Sequence, residues 1–181
     1  AFARASDAFS LSTGEPMVRF TDEEIVDRIL NDLNGERILL LAPLVKGRKG
    51  HYRELFESVM KQGYVRARVD GVLIELETGM KLDRYKVHDI EVVVDRLEVR
   101  LDEEPRLLRS VKTALNMGKG TMGVLPHDST VFRHFSRNLM CPTTGEAYPD
   151  PEPNLFSFNS PYGACARCNG LGEIAETEVE L

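Results

Sequence analysis

The sequence predicts an α+β domain, a mixed or antiparallel sheet interrupted by about three helices and followed by a small loop-rich region. Segments of strict apolar and polar alternation, one of them running into an Asp-Gly pair, point to hairpin-connected strands. Stripes of helical period, each opened by a recognisable start signal, supply the helices. After Ser136 the texture changes to Pro, Gly, Asn and aromatic residues without periodicity, as in loop-rich or metal-stapled modules.

Residues 1–16 carry no period and read as a leading segment. Thr21 followed by Asp22, Glu23 and Glu24 forms a capping-box pattern, and Ile25, Ile29, Leu30 and Leu33 then fall on one side of a helix that ends at Asn34 and Gly35. Residues 37–45 are a continuous apolar run, short enough for a buried strand, and residues 46–50 read as a loop. A second helix over residues 52–62 stops at Gly63. Residues 64–70 alternate, with Tyr64, Arg66 and Arg68 on one face and Val65, Ala67 and Val69 on the other. Asp70 and Gly71 turn that strand into residues 72–76. Residues 87–99 make a long strand in which Arg96 and Glu98, with Arg100 beyond, face away from Leu97 and Val99. Pro105 opens a third helix through Met117, with Leu108, Val111, Ala114 and Leu115 as its apolar stripe. Two short strands, near 121–125 and 129–134, close the unit. The domain therefore spans residues 17–135, the loop-rich module 136–172 and an acidic, disordered tail 173–181.

Bulk properties narrow the function. The 181 residues, 42% hydrophobic, are enough for one good core. A formal charge of -6 argues against a surface built broadly for nucleic acid, which needs an excess of Lys and Arg. No apolar run approaches the ~20 residues of a membrane span, so a cytoplasmic location is expected. Three cysteines, two of them in a C-x2-C pair, suit metal binding or its loss in a reducing compartment better than a disulfide framework. No phosphate-binding G-x-x-x-x-G-K-[ST] loop is present, since the stretch from Asn116 to Thr121 lacks the first glycine, so the chain should not use ATP by itself. His51, His88, His127 and His134 are scattered, and the acid pairs Glu23–Glu24 and Glu103–Glu104 sit in first turns of helices, where they complement the dipole. No autonomous enzyme is expected.

Two constellations carry chemistry. In the first, Cys165 and Cys168 form an intact C-x2-C, but its partner half is Cys141, Pro142, Thr143, Thr144, with threonine where a second sulfur belongs. Zinc held by Cys141, Cys165 and Cys168, with water or Thr144 as fourth ligand, is one reading. The other is an empty module packed by Phe156, Phe158, Pro161 and Tyr162, favoured because an exchangeable fourth ligand belongs to catalytic zinc. The Thr-Gly-Glu core at Thr144 also recurs at Thr13.

The second constellation is cationic. Lys46, Arg48 and Lys49, with His51 and Arg53 following, are suited to phosphate or to an acidic protein surface, or form a plain solvated turn. Arg66 and Arg96 each stand on a strand whose other face is apolar, a rigid mount for bidentate capture of Asp or Glu. The competing reading pairs Arg66 within the domain, with Asp95 or Glu98.

Residues 154–165, ending in Pro161, Tyr162, Gly163, Ala164 and Cys165, and the closing Cys168 to Gly172 resemble the first zinc module of UvrA, the damage-sensing ATPase subunit of the bacterial excinuclease. The resemblance continues through residues 39–71 and 86–100 and covers most of residues 17–172. It implies a UvrB-interaction domain in which Arg66 and Arg96 match the charged anchors for UvrB, extended by Arg68 and by Lys46, Arg48 and Lys49. It implies that the turns at Thr13 and Thr144 lack sulfurs which relatives carry there. It also implies a homodimeric parent that binds ATP and DNA, neither of which this chain binds alone. The alternative is a DNA-contacting module using the basic turn and the Cys-rich region, and a third reading is a piece that only braces the parent.

Overall fold

The computed structural model describes residues 7–129, 131–148 and 168. Of the expected features, Cys165, the aromatic residues from Phe156 to Tyr162 and the acidic tail lie outside these residues.

Helix α1 (Asp22–Asp32) begins as its capping box requires. The Glu24 backbone N–H donates to Thr21 Oγ1 at 3.2 Å, and the Thr21 N–H donates to the Glu24 carboxylate at 2.8 Å. Its apolar stripe, Ile25, Val26, Ile29 and Leu30, is fully buried. Strand β1 (Arg37–Lys49) leads to α2 (Arg53–Lys61), then β2 (Arg66–Val69), β3 (Val72–Glu75) and the long β4 (Val87–Glu98). A 3-10 turn (Leu101–Glu103) and α3 (Glu104–Met117) precede β5 (Thr121–Pro126) and β6 (Arg133–Ser136). The six strands form one sheet in the order β3-β2-β4-β1-β5-β6, every neighbouring pair antiparallel. A separate small hairpin joins β7 (Leu139–Met140) to β8 (Ala147–Tyr148).

The sheet's register decides which side chains meet the helices. Ile38 stands opposite Leu97, and both are buried with Leu40, Val99 and Val124 against α1 and α3. Leu39, one residue along, pairs with Arg96 and Leu125 and so points to the opposite side. A second cluster sets Phe56 of α2 on Ala67, Val69 and Ile90. The β2–β3 turn has Val69 opposite Val72, with Asp70 at φ 50° and Gly71 at φ 86°, the two positive values of a type I′ hairpin.

Several expectations shift. Residues 46–49 are not a free loop, because β1 continues to Lys49 through bulges that flank Val45. The bulge is fixed by Gly47, at φ 61°, whose N–H donates to Asp89 Oδ1 at 2.6 Å. The last strand of the sheet lies at 133–136 rather than 129–134. Leu107 rather than Leu108 joins Val111, Ala114 and Leu115 in the buried stripe of α3, and Leu108 is only partly buried. Val65 is 68% exposed, since the strand begins one residue after it and no partner face covers it.

His88, 5% exposed, bridges this end of the sheet. One ring nitrogen lies 2.7 Å from Asp70 Oδ2 and the other 2.8 Å from the Asp83 carbonyl. The Asp70 carboxylate first, then the Asp83 carbonyl, raise its pKa above the ordinary imidazole value. A raised folded pKa stabilises fully below the unfolded value near ~6.5 and is lost as pH rises through the folded one. The melting temperature of the wild type should therefore fall from pH 6 towards pH 9 relative to that of His88→Gln, and parallel profiles would refute this role.

Candidate functional site: an arginine-flanked face of the sheet

On the side of the sheet opposite α1 and α3, the outward residues of β1 and β4 and the chain entering β2 enclose a shallow hollow. Leu39 and Val93 lie in it, Tyr64 and Val65 border it, and Arg66 and Arg96 both reach it. These two arginines, 30 positions apart in the sequence (96 minus 66), are brought together because β2 and β4 are hydrogen-bonded neighbours.

Their electrostatic states differ. Arg66 stands directly across from Glu75, and Nη2 meets its carboxylate at 2.8 Å. The tight hairpin turn sets this register, so the internal partner is Glu75 rather than Asp95 or Glu98. Both side chains are well exposed, and a pair of this kind contributes ~0–1 kcal/mol. Arg96 has no side-chain hydrogen bond or ion pair among the described residues; only its backbone N–H is engaged, by Asp95 Oδ1 at 2.7 Å. Asp95 itself is held on the helix side by Ser110 at 2.6 Å and Arg106 at 3.1 Å. The face thus presents one uncommitted guanidinium and one weakly committed one.

Arg68 is placed otherwise. It meets Glu91 at 2.9 Å, in a pair whose side chains are 20% and 8% exposed, and its guanidinium lies 4.7 Å from the centre of the Phe132 ring. Burial pushes the Glu91 carboxyl up, and Arg68 pulls it back down. Lys46 and Arg48 border a different hollow, with Glu91, Phe132 and His134, and Lys46 Nζ lies 3.6 Å from Asp89. Lys49 is exposed at the end of β1. The basic stretch is therefore not part of the face that Arg66 and Arg96 share. Burial, with Lys46 and Arg68 nearby, lowers His134 to about 4, so it is neutral in that second hollow.

Sequence reasoning missed the apolar share of the arginine face. Val65 is 68% exposed and Leu73 46% exposed, and both border the hollow with His127. Their signal was faint: Val65 looked like an inward residue of an alternating strand, and Leu73 like an ordinary member of a short apolar one.

The cysteines are also rearranged. Cys141 is buried, and its sulfur lies 3.3 Å from Thr13 Oγ1 and 3.7 Å from Glu15 Oε2. Hydrogen bonds from Thr13, then Thr144, with Ser10 contributing, draw its thiol down to about 6. Cys168 is partly exposed, and no cluster of three or more His, Cys, Asp or Glu gathers among the described residues. No helix among them is long and apolar enough to cross a membrane.

Residues 21–128 match the family model of the UvrA interaction domain. The chain belongs to the UvrA family. It is 45% identical over 182 residues to UvrABC system protein A of Thermus thermophilus, an alignment covering 99% of the chain. It is 46% identical over 185 residues to the protein of the same name from Methanothermobacter thermautotrophicus, again over 99% of the chain. Against the Escherichia coli UvrABC system protein A it is 42% identical over 173 residues, 94% of the chain. The chain spans about a fifth of the length of these curated relatives. Residues 21–128 thus correspond to the interaction domain of the UvrA family.

Proposed function

We propose that this chain is the UvrB-docking domain of a longer UvrA, and that its parent works in nucleotide excision repair as an ATP-driven, DNA-binding homodimer. The observation that supports docking is the sheet face on which uncommitted Arg96 and weakly paired Arg66 flank an apolar floor with exposed Val65 and Leu73. Such a face combines the elements of an interface core: apolar area that gains by leaving water, and arginines whose planar forks capture carboxylates. An acidic patch of UvrB would answer Arg66 and Arg96. Lys46, Arg48 and Lys49 would act from the neighbouring rim, where charges mainly accelerate encounter. Arg68, further along the same face of β2, would contribute by holding the sheet through Glu91.

The measurement is a calorimetric titration of the chain with purified UvrB at 50 mM and 300 mM salt. Saturable binding that weakens only several-fold at high salt is expected, because apolar contacts are insensitive to screening. No saturable binding at either salt would end the reading. The DNA-contacting alternative predicts steep salt-dependent binding of the chain to duplex DNA, which the net charge of -6 disfavours.

A further inference from the structure

Two turns far apart in the sequence have the same construction, residue for residue. In one, the Ser10 N–H donates to the Glu15 carbonyl at 2.8 Å, and the Gly14 N–H donates to the Ser10 carbonyl at 2.9 Å. In the other, the Cys141 N–H donates to the Glu146 carbonyl at 2.9 Å, and the Gly145 N–H donates to the Cys141 carbonyl at 3.0 Å. Each turn contains a threonine whose Oγ1 accepts the backbone N–H of the glutamate two residues on, at 3.3 Å in both, and a glycine near φ 70°, 73° for Gly14 and 69° for Gly145. Each is flanked by antiparallel pairing, Phe9 with Pro16 and Met140 with Ala147.

The two turns face each other. Thr13 Oγ1 of the first turn lies 3.3 Å from the Cys141 sulfur of the second, the sulfur lies 3.7 Å from Glu15 Oε2, and the Ser12 hydroxyl donates to Glu146 Oε2 at 3.3 Å, so the first and fourth residues of each turn, Ser10 and Thr13, Cys141 and Thr144, lie on the sides that meet. This is the arrangement of two C-x2-C knuckles that share one tetrahedral metal. In a four-thiolate zinc site, Zn–S bonds of ~2.3 Å set the ligand edges near ~3.8 Å, and the Thr13 to Cys141 separation is 3.3 Å. Three of the four positions are hydroxyls, however. Neutral alcohols are poor zinc ligands beside thiolate and imidazole, so the donor set does not fit zinc. Cys141 is moreover engaged with a segment at the start of the chain, not only with the half-module that its spacing from Cys165 and Cys168 suggested.

We propose that Ser10, Thr13, Cys141 and Thr144 form a metal-independent clasp on a zinc-knuckle frame, in which the Thr13–Cys141 contact and the side-chain hydrogen bonds beside it do the joining that a metal would do. The clasp ties the chain where it approaches the sheet to the chain where it leaves it. Beside it the Val18 N–H donates to the Met140 carbonyl at 2.9 Å, the Met140 N–H returns the bond at 2.9 Å, and the Phe20 N–H donates to the Ser136 carbonyl at 2.8 Å. Three backbone hydrogen bonds thus already pair six groups of two distant segments once the knuckles meet, and no ion is needed to hold them.

The test uses the whole chain, with zinc measured by plasma mass spectrometry and unfolding followed by circular dichroism. Wild type and Cys141→Ser should carry the same zinc per chain, whatever Cys165 and Cys168 hold. The triple variant S10C/T13C/T144C should gain one zinc per chain over wild type, and its melting temperature should fall when EDTA is added. A loss of zinc in Cys141→Ser would overturn the metal-independent clasp. So would a triple variant that folds without gaining zinc, because the four positions would then not converge on one site. If the triple variant does not fold, the comparison of wild type with Cys141→Ser still decides between the two.

Discussion

Arg96→Glu should weaken the binding of UvrB by roughly 30-fold to a few thousand-fold, the ~2–5 kcal/mol typical of removing one partner of a desolvated charge pair. The expectation rests on the state of Arg96 before binding. Its guanidinium has no internal partner among the described residues to give up, so a carboxylate that reaches it adds contacts without breaking any. Arg66→Glu should cost less. In the free chain Arg66 already holds Glu75, so docking exchanges one weak pair for a better one, and part of the gain is cancelled. The reversal also sets two glutamates opposite each other across β2 and β3, a local penalty of ~0.2–1 kcal/mol that should appear as a small loss of stability. The double variant should bind too weakly to titrate, with circular dichroism unchanged. If both single reversals bind like wild type while Arg48→Glu does not, docking uses the hollow at the bulged end of β1 instead.

Much of this face was legible from residue types and period. The alternation through Tyr64, Arg66 and Arg68 and the Asp-Gly turn gave the β2–β3 hairpin, since period and turn chemistry are local properties that sequence carries directly. What stayed hidden depends on register between distant strands. Nothing local says that Leu39 will stand beside Arg96, whereas the Arg66–Glu75 pair did follow from the Asp-Gly turn and was overlooked in favour of Asp95 and Glu98. The bulges of β1 were equally invisible, because a Lys-Gly-Arg-Lys stretch reads as a turn until Asp89 on the neighbouring strand captures the Gly47 N–H. The partner of Cys141 was hidden for the same reason. The Thr-Gly-Glu echo marked both turns, but only the bridge between Val18 and Met140 brings them face to face.

Arg66 and Arg68, alike by sequence, should separate completely when each is truncated. Arg68→Ala leaves Glu91, whose side chain is 8% exposed, without its cation, and removes the guanidinium from the Phe132 ring. Breaking a buried pair from one side costs ~3–5 kcal/mol, and the partial exposure of Arg68 puts the expected loss near the lower end, about 3 kcal/mol by urea unfolding. The pH dependence follows from the sign of the shift. Burial raises the Glu91 pKa even with Arg68 present, and removing Arg68 raises it further. A raised carboxyl pKa stabilises fully below the unfolded value and is lost as pH rises through the folded one. The penalty of Arg68→Ala should therefore be smaller at pH 5 than at pH 7.5. Adding Glu91→Gln should recover part of the loss at pH 7.5, because the buried charge is gone. Arg66→Ala, which frees an exposed glutamate, should change stability by less than about 1 kcal/mol at either pH. A cost for Arg68→Ala as small as that of Arg66→Ala would show that the Glu91 carboxylate is solvated without its arginine. Arg68 would then be as available to UvrB as Arg66, and the docking face would extend across β2 to Phe132.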